Sequence, residues 1–326
     1  MLLTPANLNQ LFTAYDMRFW QAFGKAPKFS DKIATTIPCG TEIMGFAWIG
    51  ALDKMREWVG PRVAHEPAAE TYFVKPAPFE LTEKISKYKV LDDTYGVYNP
   101  VIDAMGRSVA KNFDYQLRDL MRNLGTQIGA RQIGTDGLTH WNTAHPIDLY
   151  DAGKGTYCND FTGGVVIDGV TVGGAFGVNS YATLRQEFMA RKDQSGEALG
   201  LMPNLGLFPS QLELTAKYVL QAEYLAAPTL GNLTGQVGAA ENMNRNSADL
   251  LIAPEFNGAP TVWYLLDTQS APFKPFLIVE RQAPETVIRN QASDPVVFDT
   301  ASYLYGVDSR MIPAFGHPFL SAKSAP

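Results

Sequence analysis

Cysteine and charge are both scarce in this chain of 326 residues. Two cysteines, Cys39 and Cys158, cannot build a disulfide scaffold and are typical of a protein made in a reducing compartment. Charged residues make up 18% of the sequence, compared with about 25% in an ordinary soluble domain. Because fewer charges leave less strongly hydrated surface, this composition indicates a surface that partners partly cover.

Long apolar runs are absent from the sequence as well. No run of about 20 apolar residues occurs, and the residues after Met1 contain neither a basic region nor a continuous apolar region. We therefore predict no membrane span and no signal peptide, and we expect the protein to be made in the cytoplasm. The formal net charge of -6 excludes a polycationic nucleic-acid binder.

The residue types that usually carry catalysis or bind metals form no recognisable motif. His140 and His145 lie five apart and precede Pro146, whereas a zinc-binding helix needs a spacing of four and a glutamate. Residues 169–177 lack the glycine spacing of a phosphate-binding loop. We predict no catalytic residue, no cofactor and no metal ligand. The candidates weighed also include His65, His317 and the pair Asp92 and Asp93, which suits a helix start.

One enzymatic alternative stays open at this point. A site could be assembled from residues distant in sequence, for instance Asp136, His140 and Cys158. An enzyme of this kind would behave as a small oligomer in solution.

The clearest local pattern predicts a long helix over 99–125. Asn99 is a good N-cap, Pro100 suits the first helical position, and Gly125 supplies a stop. Apolar side chains recur between them at spacings of three and four, at Ile102, Met105, Val109, Phe113, Leu117, Leu120, Met121 and Leu124. The helix therefore has one apolar face for a sheet to cover.

The segment 33–92 is mostly extended and predicts a long two-stranded projection. Because an isolated hairpin is barely stable in water, we expect this ribbon to rest on another molecule. The apolar pattern before it, within 1–32, predicts a short helix. That helix either docks on its own domain or packs on a neighbouring subunit.

The second half mixes short helices and strands, which indicates an α+β protein. A tight hairpin is predicted around Asp168-Gly169, helices over about 180–192 and 210–225, and a capping box at Ser210–Glu213. Predicted strands are 250–253, 261–266, 276–279 and 296–307.

Several stretches in collinear order resemble the major head (capsid) proteins of Mu-like tailed phages. They are Ser30–Ala34, Trp48–Gly50, Glu57–Gly60, Tyr95–Ser108, Asp136–Leu138, Ala144–Pro146, Trp263–Asp267, Glu280–Arg281, Val297–Phe298 and Tyr305–Arg310. The middle, 147–260, matches only in general form. The resemblance implies the α+β capsid fold first seen in phage Hong Kong 97.

In that fold the resemblance implies an N-terminal arm, an extended hairpin called the E-loop, a peripheral P-domain with a spine helix, and an axial A-domain. The boundaries expected here are 1–32 for the arm and 33–92 for the E-loop; 93–130 and about 285–315 for the P-domain, with the spine helix at 99–125; and about 131–284 and 316–326 for the A-domain. We expect Trp48, Trp58 and the spine-helix stripe to be packing anchors.

The function that the resemblance implies is structural. It is a major capsid protein of a tailed bacteriophage or prophage, which self-assembles into the hexamers and pentamers of an icosahedral shell around double-stranded DNA. Expected partners are further copies of the chain, a separate scaffolding protein, a portal and possible decoration proteins, with no membrane. The protein would be assembled in the bacterial host cytoplasm and end in the virion. An encapsulin-like compartment shell is the alternative.

The resemblance also raises the question of covalent cross-links, since some members of the fold join neighbouring subunits by Lys–Asn isopeptide bonds. The expected loop tip, Gly60–Pro67, contains no lysine. We therefore expect no cross-link.

We predict negligible DNA affinity for isolated subunits. The net charge of -6 leaves few cations to neutralise phosphates, and a shell that lets DNA slide should not hold it. Filter binding at about 50 mM salt, where electrostatic binding is strong, measures this. Micromolar affinity would contradict the prediction.

Overall fold

A computed structural model describes residues 4–49, 69–92, 96–123, 136–148, 151–226, 239–291 and 293–326. Within these ranges none of the helices combines the length and apolarity that crossing a bilayer requires.

The described residues form helices and strands that alternate along the chain. The helices are α1 (Pro5–Lys25), α2 (Ser30–Ile33), α3 (Lys87–Asp92), α4 (Asn99–Met121), α5 (Val178–Met189), α6 (Glu213–Gln221) and α7 (Pro295–Thr300). The strands are β1 (Ala34–Pro38), β2 (Met44–Ile49), β3 (Ala69–Val74), β4 (Ala77–Ser86), β5 (His145–Pro146), β6 (Thr156–Tyr157), β7 (Asp160–Thr162), β8 (Val165–Ile167), β9 (Val170–Val172), β10 (Leu205–Phe208), β11 (Tyr224–Ala226), β12 (Ala239–Glu241), β13 (Asp249–Ile252), β14 (Trp263–Leu266), β15 (Phe276–Arg289), β16 (Ser302–Phe315) and β17 (Ser321–Ala325). Short 3-10 turns lie at Ala152–Lys154, Ser210–Leu212, Pro254–Phe256 and Pro318–Leu320.

The first sheet has four strands in the order β1-β15-β16-β4. Strand β1 pairs parallel with β15, and the other pairs are antiparallel. Helices α1 and α4 cover one face of this sheet, where Phe12 and Phe19 of α1 are buried against Tyr305 of β16. The Tyr305 hydroxyl donates to Asp16 Oδ1 at 2.7 Å, which also satisfies the polar end of this buried ring.

A glycine sets the separation of α1 and α4. A Cβ atom built on Gly106 of α4 would lie 2.5 Å from the Phe19 carbonyl oxygen of α1, so only glycine allows this approach. Outside this contact, Arg18 donates two hydrogen bonds to the Asp103 carboxylate, at 3.3 and 2.8 Å. The two helices therefore form one packed layer on the sheet.

The second sheet has five strands in the order β13-β10-β14-β17-β7. Helices α5 and α6 bury Phe188, Leu220 and their neighbours on one face, together with Trp263 of β14. The other face joins the core that contains the second half of α4. The C-terminal strand β17 lies inside the sheet, between β14 and β7.

Helix α4 contributes to both cores. Its first half, with Ile102 and Met105, packs under α1, and its second half, with Leu117 and Leu120, packs against the five-stranded sheet. The Trp141 indole donates to the Met121 carbonyl at 2.9 Å and so satisfies one carbonyl at the helix end. The predicted stripe is confirmed from Ile102 to Met121, and the helix spans Asn99–Met121 within the predicted 99–125; Leu124 and Gly125 lie outside the described residues. Asn99 itself is the first helical residue, and the N-cap is Tyr98.

The predicted ribbon over 33–92 is wrong at both of its ends. Strands β1 and β4 do not pair with each other, because each finds a partner far along the chain in the four-stranded sheet. Among the described residues of 33–92, β2 and β3 are the strands that pair as a two-stranded antiparallel ribbon. Helix α1 packs on its own chain, so the first of the two alternatives for it is the one observed.

Two local predictions are also corrected, and one is confirmed. The first part of the strand predicted over 296–307 is helix α7. Asp294 is the N-cap of this helix and Pro295 is its first residue. Ala301 follows the helix with φ 46°, and strand β16 begins after it. Ser210 forms no capping box, since its hydroxyl donates to Asn257 Oδ1 at 2.8 Å. The hairpin around Asp168-Gly169 is confirmed as β8 and β9.

We predict that Gly106→Ala destabilises the protein by about 1–3 kcal/mol, because the added methyl group overlaps the α1 backbone and forces the helices apart. Denaturant unfolding of the unassembled chain measures the loss.

Gly24→Ala is the matched control. It lies in α1, where an added Cβ meets nothing within 4 Å, and helix propensity favours alanine by about 0.5–1 kcal/mol. Equal losses in the two variants would contradict the close-approach argument.

Candidate assembly surfaces

The ribbon of β2 and β3 has one covered face and one uncovered face. Phe46 and Tyr72 stack at 5.8 Å on the inner face and pack, with Val74, on the sheet core of β15 and β16. On the outer face the Phe73 ring lies over Gly45 and is 68% exposed, and Ile43 is exposed beside the ribbon. The base of the ribbon is therefore anchored on its own chain, while its outer face displays an aromatic ring to solvent.

The predicted anchors Trp48 and Trp58 cannot be placed in this description. Trp58 and the expected loop tip 60–67 lie outside the described residues, and of Trp48 only the strand position is described. Trp141 and Trp263 are both buried in the cores.

A groove runs between α4 and the edge strand β4. Tyr115 of α4 lines it and is 38% exposed. The other lining residues come from the two elements and from β16: Phe79, Glu80, Leu81, Ser108, Val109, Asn112, Val307 and Ser309. The groove therefore has a mixed apolar and polar lining and lies between α4 and the four-stranded sheet.

The structure brings several of the candidate catalytic residues together in one buried cluster. His145 is hydrogen-bonded through Nδ1 to Asp136 and through Nε2 to the His140 carbonyl at 2.9 Å. His140 Nε2 lies 2.9 Å from Ser321 Oγ, and its ring stacks on Phe315 at 3.9 Å. The cluster joins the 136–148 segment to the C-terminal strand.

Burial in this region favours the neutral forms of His140 and His317. Burial lowers the pKa of His140 well below its ordinary value and lowers the pKa of His317 to about 4. Burial is the largest single influence on Asp136 and raises its pKa. The hydrogen bond from His145, the charge of His145 and the backbone amide hydrogen bonds together outweigh it, so the net shift of the pKa is downward. These groups hold segments of the chain together.

Cys158 does not complete a catalytic arrangement with them. Burial raises the pKa of its thiol to about 11, so the nucleophilic thiolate is suppressed. The thiol donates to the Asp160 carbonyl at 3.2 Å and not to a histidine. The arrangement of Asp136, His140 and Cys158 is therefore structural.

A buried arginine that the sequence analysis missed completes the cluster. Arg191, 3% exposed, donates to the carbonyls of Phe319, Ser321 and Cys158. Its guanidinium lies 4.1 Å over the Phe188 ring, and burial lowers its pKa to about 10. This side chain ties the C-terminal segment to β6 and β7. No sequence signal marks it, since a basic residue after a helix is ordinary.

Comparison with known proteins identifies the family. A family model described as Mu-like prophage major head subunit gpT matches residues 8–167 and 241–325, which is more than half of the chain. This chain belongs to the Mu-like major head subunit family. The match includes the elements of the four-stranded sheet, the ribbon and the C-terminal strand, and it confirms the resemblance drawn from the sequence. The family is structural and not enzymatic.

Two curated relatives agree with this assignment. The chain is 30% identical over 159 residues to the major capsid protein of Escherichia phage Mu, covering 49% of this chain and 50% of that protein. It is 27% identical over 145 residues to the Mu-like prophage FluMu major head subunit of Haemophilus influenzae, covering 44% and 46%. The chain thus spans about half the length of the curated relatives it matches.

The fold is that of phage capsid chains. A chain from the procapsid of bacteriophage JBD30 superposes with a TM-score of 0.56 at 24% identity, covering 99% of this chain and 76% of that one. The α+β, Hong Kong 97-type expectation is therefore confirmed.

We predict that the unassembled chain loses stability as the pH falls from about 6.5 to 4. The lowered pKa values of His140 and His317 mean that the unfolded chain binds more protons in this window, so acid favours unfolding. His145, Asp136 and Arg191 act on His317 electrostatically and share the environment. Denaturant midpoints measured across the window test this.

The variant His317→Asn removes the titrating imidazole but keeps an acceptor for the Phe319 amide. His317 Nδ1 accepts from the Phe319 amide at 3.3 Å at the start of a 3-10 turn, and an asparagine oxygen can take that role without titrating. The variant also loses the ring that stacks on Phe319 at 4.5 Å, so its own stability near pH 7.5 is the reference, and from there it should lose part of the slope. An unchanged slope would contradict the assignment.

Proposed function

We propose that this protein is a major capsid (head) protein of a tailed phage or prophage, self-assembling into hexamers and pentamers of an icosahedral shell that encloses double-stranded DNA. The observation that carries the proposal is the family match over 8–167 and 241–325. The chain's work is mechanical, since many repeated interfaces close the shell.

The surface of the chain supports this proposal. Phe73 on the ribbon and Phe298 on α7, 82% exposed, are large apolar groups in that surface. Shell neighbours would cover such groups and recover their transfer free energy.

The elements fit the domains that the family resemblance implies. We assign the ribbon of β2 and β3 to the E-loop, α4 and the four-stranded sheet to the P-domain, and the five-stranded sheet with α5 and α6 to the A-domain. Helix α1 takes the place of the N-terminal arm. In this assignment the P-domain also includes β1 and β4, which lie within the segment 33–92 expected to form the E-loop.

Partners beyond the chain itself follow from the same proposal. A scaffolding protein and a portal are needed to start and size a shell that receives DNA, and decoration proteins are possible partners. The packaged DNA would be contacted weakly and without sequence preference, and the finished protein would reside in the virion after assembly in the host cytoplasm.

We predict that the expressed protein, supplied with its scaffolding partner where needed, forms particles of tens of nanometres. Negative-stain microscopy and size-exclusion chromatography measure this directly. A chain that stays a small oligomer under every assembly condition would contradict the proposal. Particles that enclose a cargo enzyme in place of DNA would favour the encapsulin-like alternative.

A further inference from the structure

Two exposed apolar patches lie at opposite edges of the five-stranded sheet. We call the first the hairpin patch, formed by Val166 of β8 and Thr171 of β9. We call the second the α6 patch, formed by Leu214 and Tyr218. Neither patch belongs to the cores of this chain.

The hairpin patch belongs to the β7 edge. The hairpin is held to β7 at both of its ends. The Gly164 amide donates to the Phe161 carbonyl at 3.1 Å, and the Gly174 amide donates to the same carbonyl at 3.3 Å. One hairpin face packs on the chain's own core through Val165, Ile167 and Val172. Because side chains alternate, the opposite face presents Val166, which is 67% exposed, with Thr171 directly across the ladder.

The α6 patch belongs to the β13 edge. Ala216, Val219 and Leu220 of α6 are buried against the sheet. Leu214, 82% exposed, and Tyr218, 43% exposed, are four residues apart and share the outer face. A surface helix ordinarily carries polar residues there, so this helix has apolar groups on both faces.

Charge distinguishes the two patches. Asp168 forms the hairpin tip and makes no ion pair with any part of the chain that the structure describes. Lys217 lies between Leu214 and Tyr218 in sequence. Among the described residues it forms an ion pair with Glu213, and both side chains of that pair are about half exposed. An exposed pair of this kind contributes little, so the lysine is available to a second carboxylate.

The geometry of the sheet fixes how such patches can meet. Five strands at about 4.8 Å spacing place the edges about 19 Å apart, so one molecule cannot bring its own patches together. Contact between unlike patches on successive copies is head-to-tail, and such contacts form a ring when the rotation from one copy to the next closes. In a closed ring every copy uses both patches and leaves none exposed.

We infer that the hairpin patch of one subunit docks on the α6 patch of the next copy of the same chain, and that this contact builds the ring of five or six subunits. Val166 and Thr171 cover Leu214 and Tyr218, and Asp168 approaches Lys217. The inference rests on the proposed function and names the partner surface within it.

Thiol cross-linking of assembled particles tests the contact. The double variant Val166→Cys with Leu214→Cys, oxidised mildly and run on a denaturing gel without reductant, should give a ladder from dimers up to closed rings. The native cysteines are both buried, so the unmodified chain supplies a low background. Val166→Cys with Val287→Cys is the matched control, because Val287 lies on the four-stranded sheet and is exposed.

Each outcome of that experiment decides one statement. Particles of the V166C/L214C chain without a ladder would overturn the contact and leave the shell function standing, whereas failure of the native chain to form particles would remove the shell function itself. Dimers from either single variant would show a like-to-like contact and overturn the head-to-tail arrangement. A cross-link to a scaffolding protein would assign the patch to that partner and overturn the inference.

Charge reversal gives a second, independent test. Asp168→Lys and Lys217→Asp should each lower particle yield by about tenfold, because each places like charges at the contact. The two changes in one chain should restore the yield. Circular dichroism of the unassembled subunits verifies that each variant folds, and failure of the double variant to recover yield while folded would contradict the pairing.

Discussion

The structure depends on one helix that serves two hydrophobic cores. The first half of α4 lies under α1 and against the four-stranded sheet, and its second half lies against the five-stranded sheet. Because close-packed interiors transmit displacement, a shift of this helix would be felt in both sheets. Gly106 lets the helix lie close to α1 at one end, and Trp141 donates a hydrogen bond to the Met121 carbonyl at the other. The assembly surfaces are arranged around this fixed element.

Local signals allowed part of this fold to be predicted from the sequence. The apolar spacing of α4 and the Asp168-Gly169 turn each specify their own conformation, because the deciding contacts lie within a few residues. The family was predicted from many short matches in order, and the family comparison confirms it. Signals of these kinds do not depend on where the rest of the chain goes.

The remaining features depend on distant contacts, and sequence patterns cannot show them. The sequence pattern of residues 34–38 predicts part of a ribbon, whereas in the structure these residues pair with β15. Asp114 is buried and accepts from the amides of Phe29 and Ser30, which only the fold brings near it. Arg191 donates to the Cys158 carbonyl, and this contact too exists only because the fold brings the two residues together. The exposed apolar groups on α6 and on β8 and β9 were also not predicted, because composition cannot tell which face of an element is covered.

The topology of the four-stranded sheet has a kinetic consequence. Its pairing of Ala34 with Phe276 closes a very long loop, and such non-local pairing is slow to form. The β8–β9 hairpin and the β2–β3 ribbon need only short or intermediate loops, and hairpins form in microseconds. These two elements, which carry exposed apolar side chains, therefore form before the rest of the subunit has folded. Nascent chains held at high concentration would associate prematurely, so dilution or a chaperone during synthesis is expected to raise the yield of correctly folded subunits.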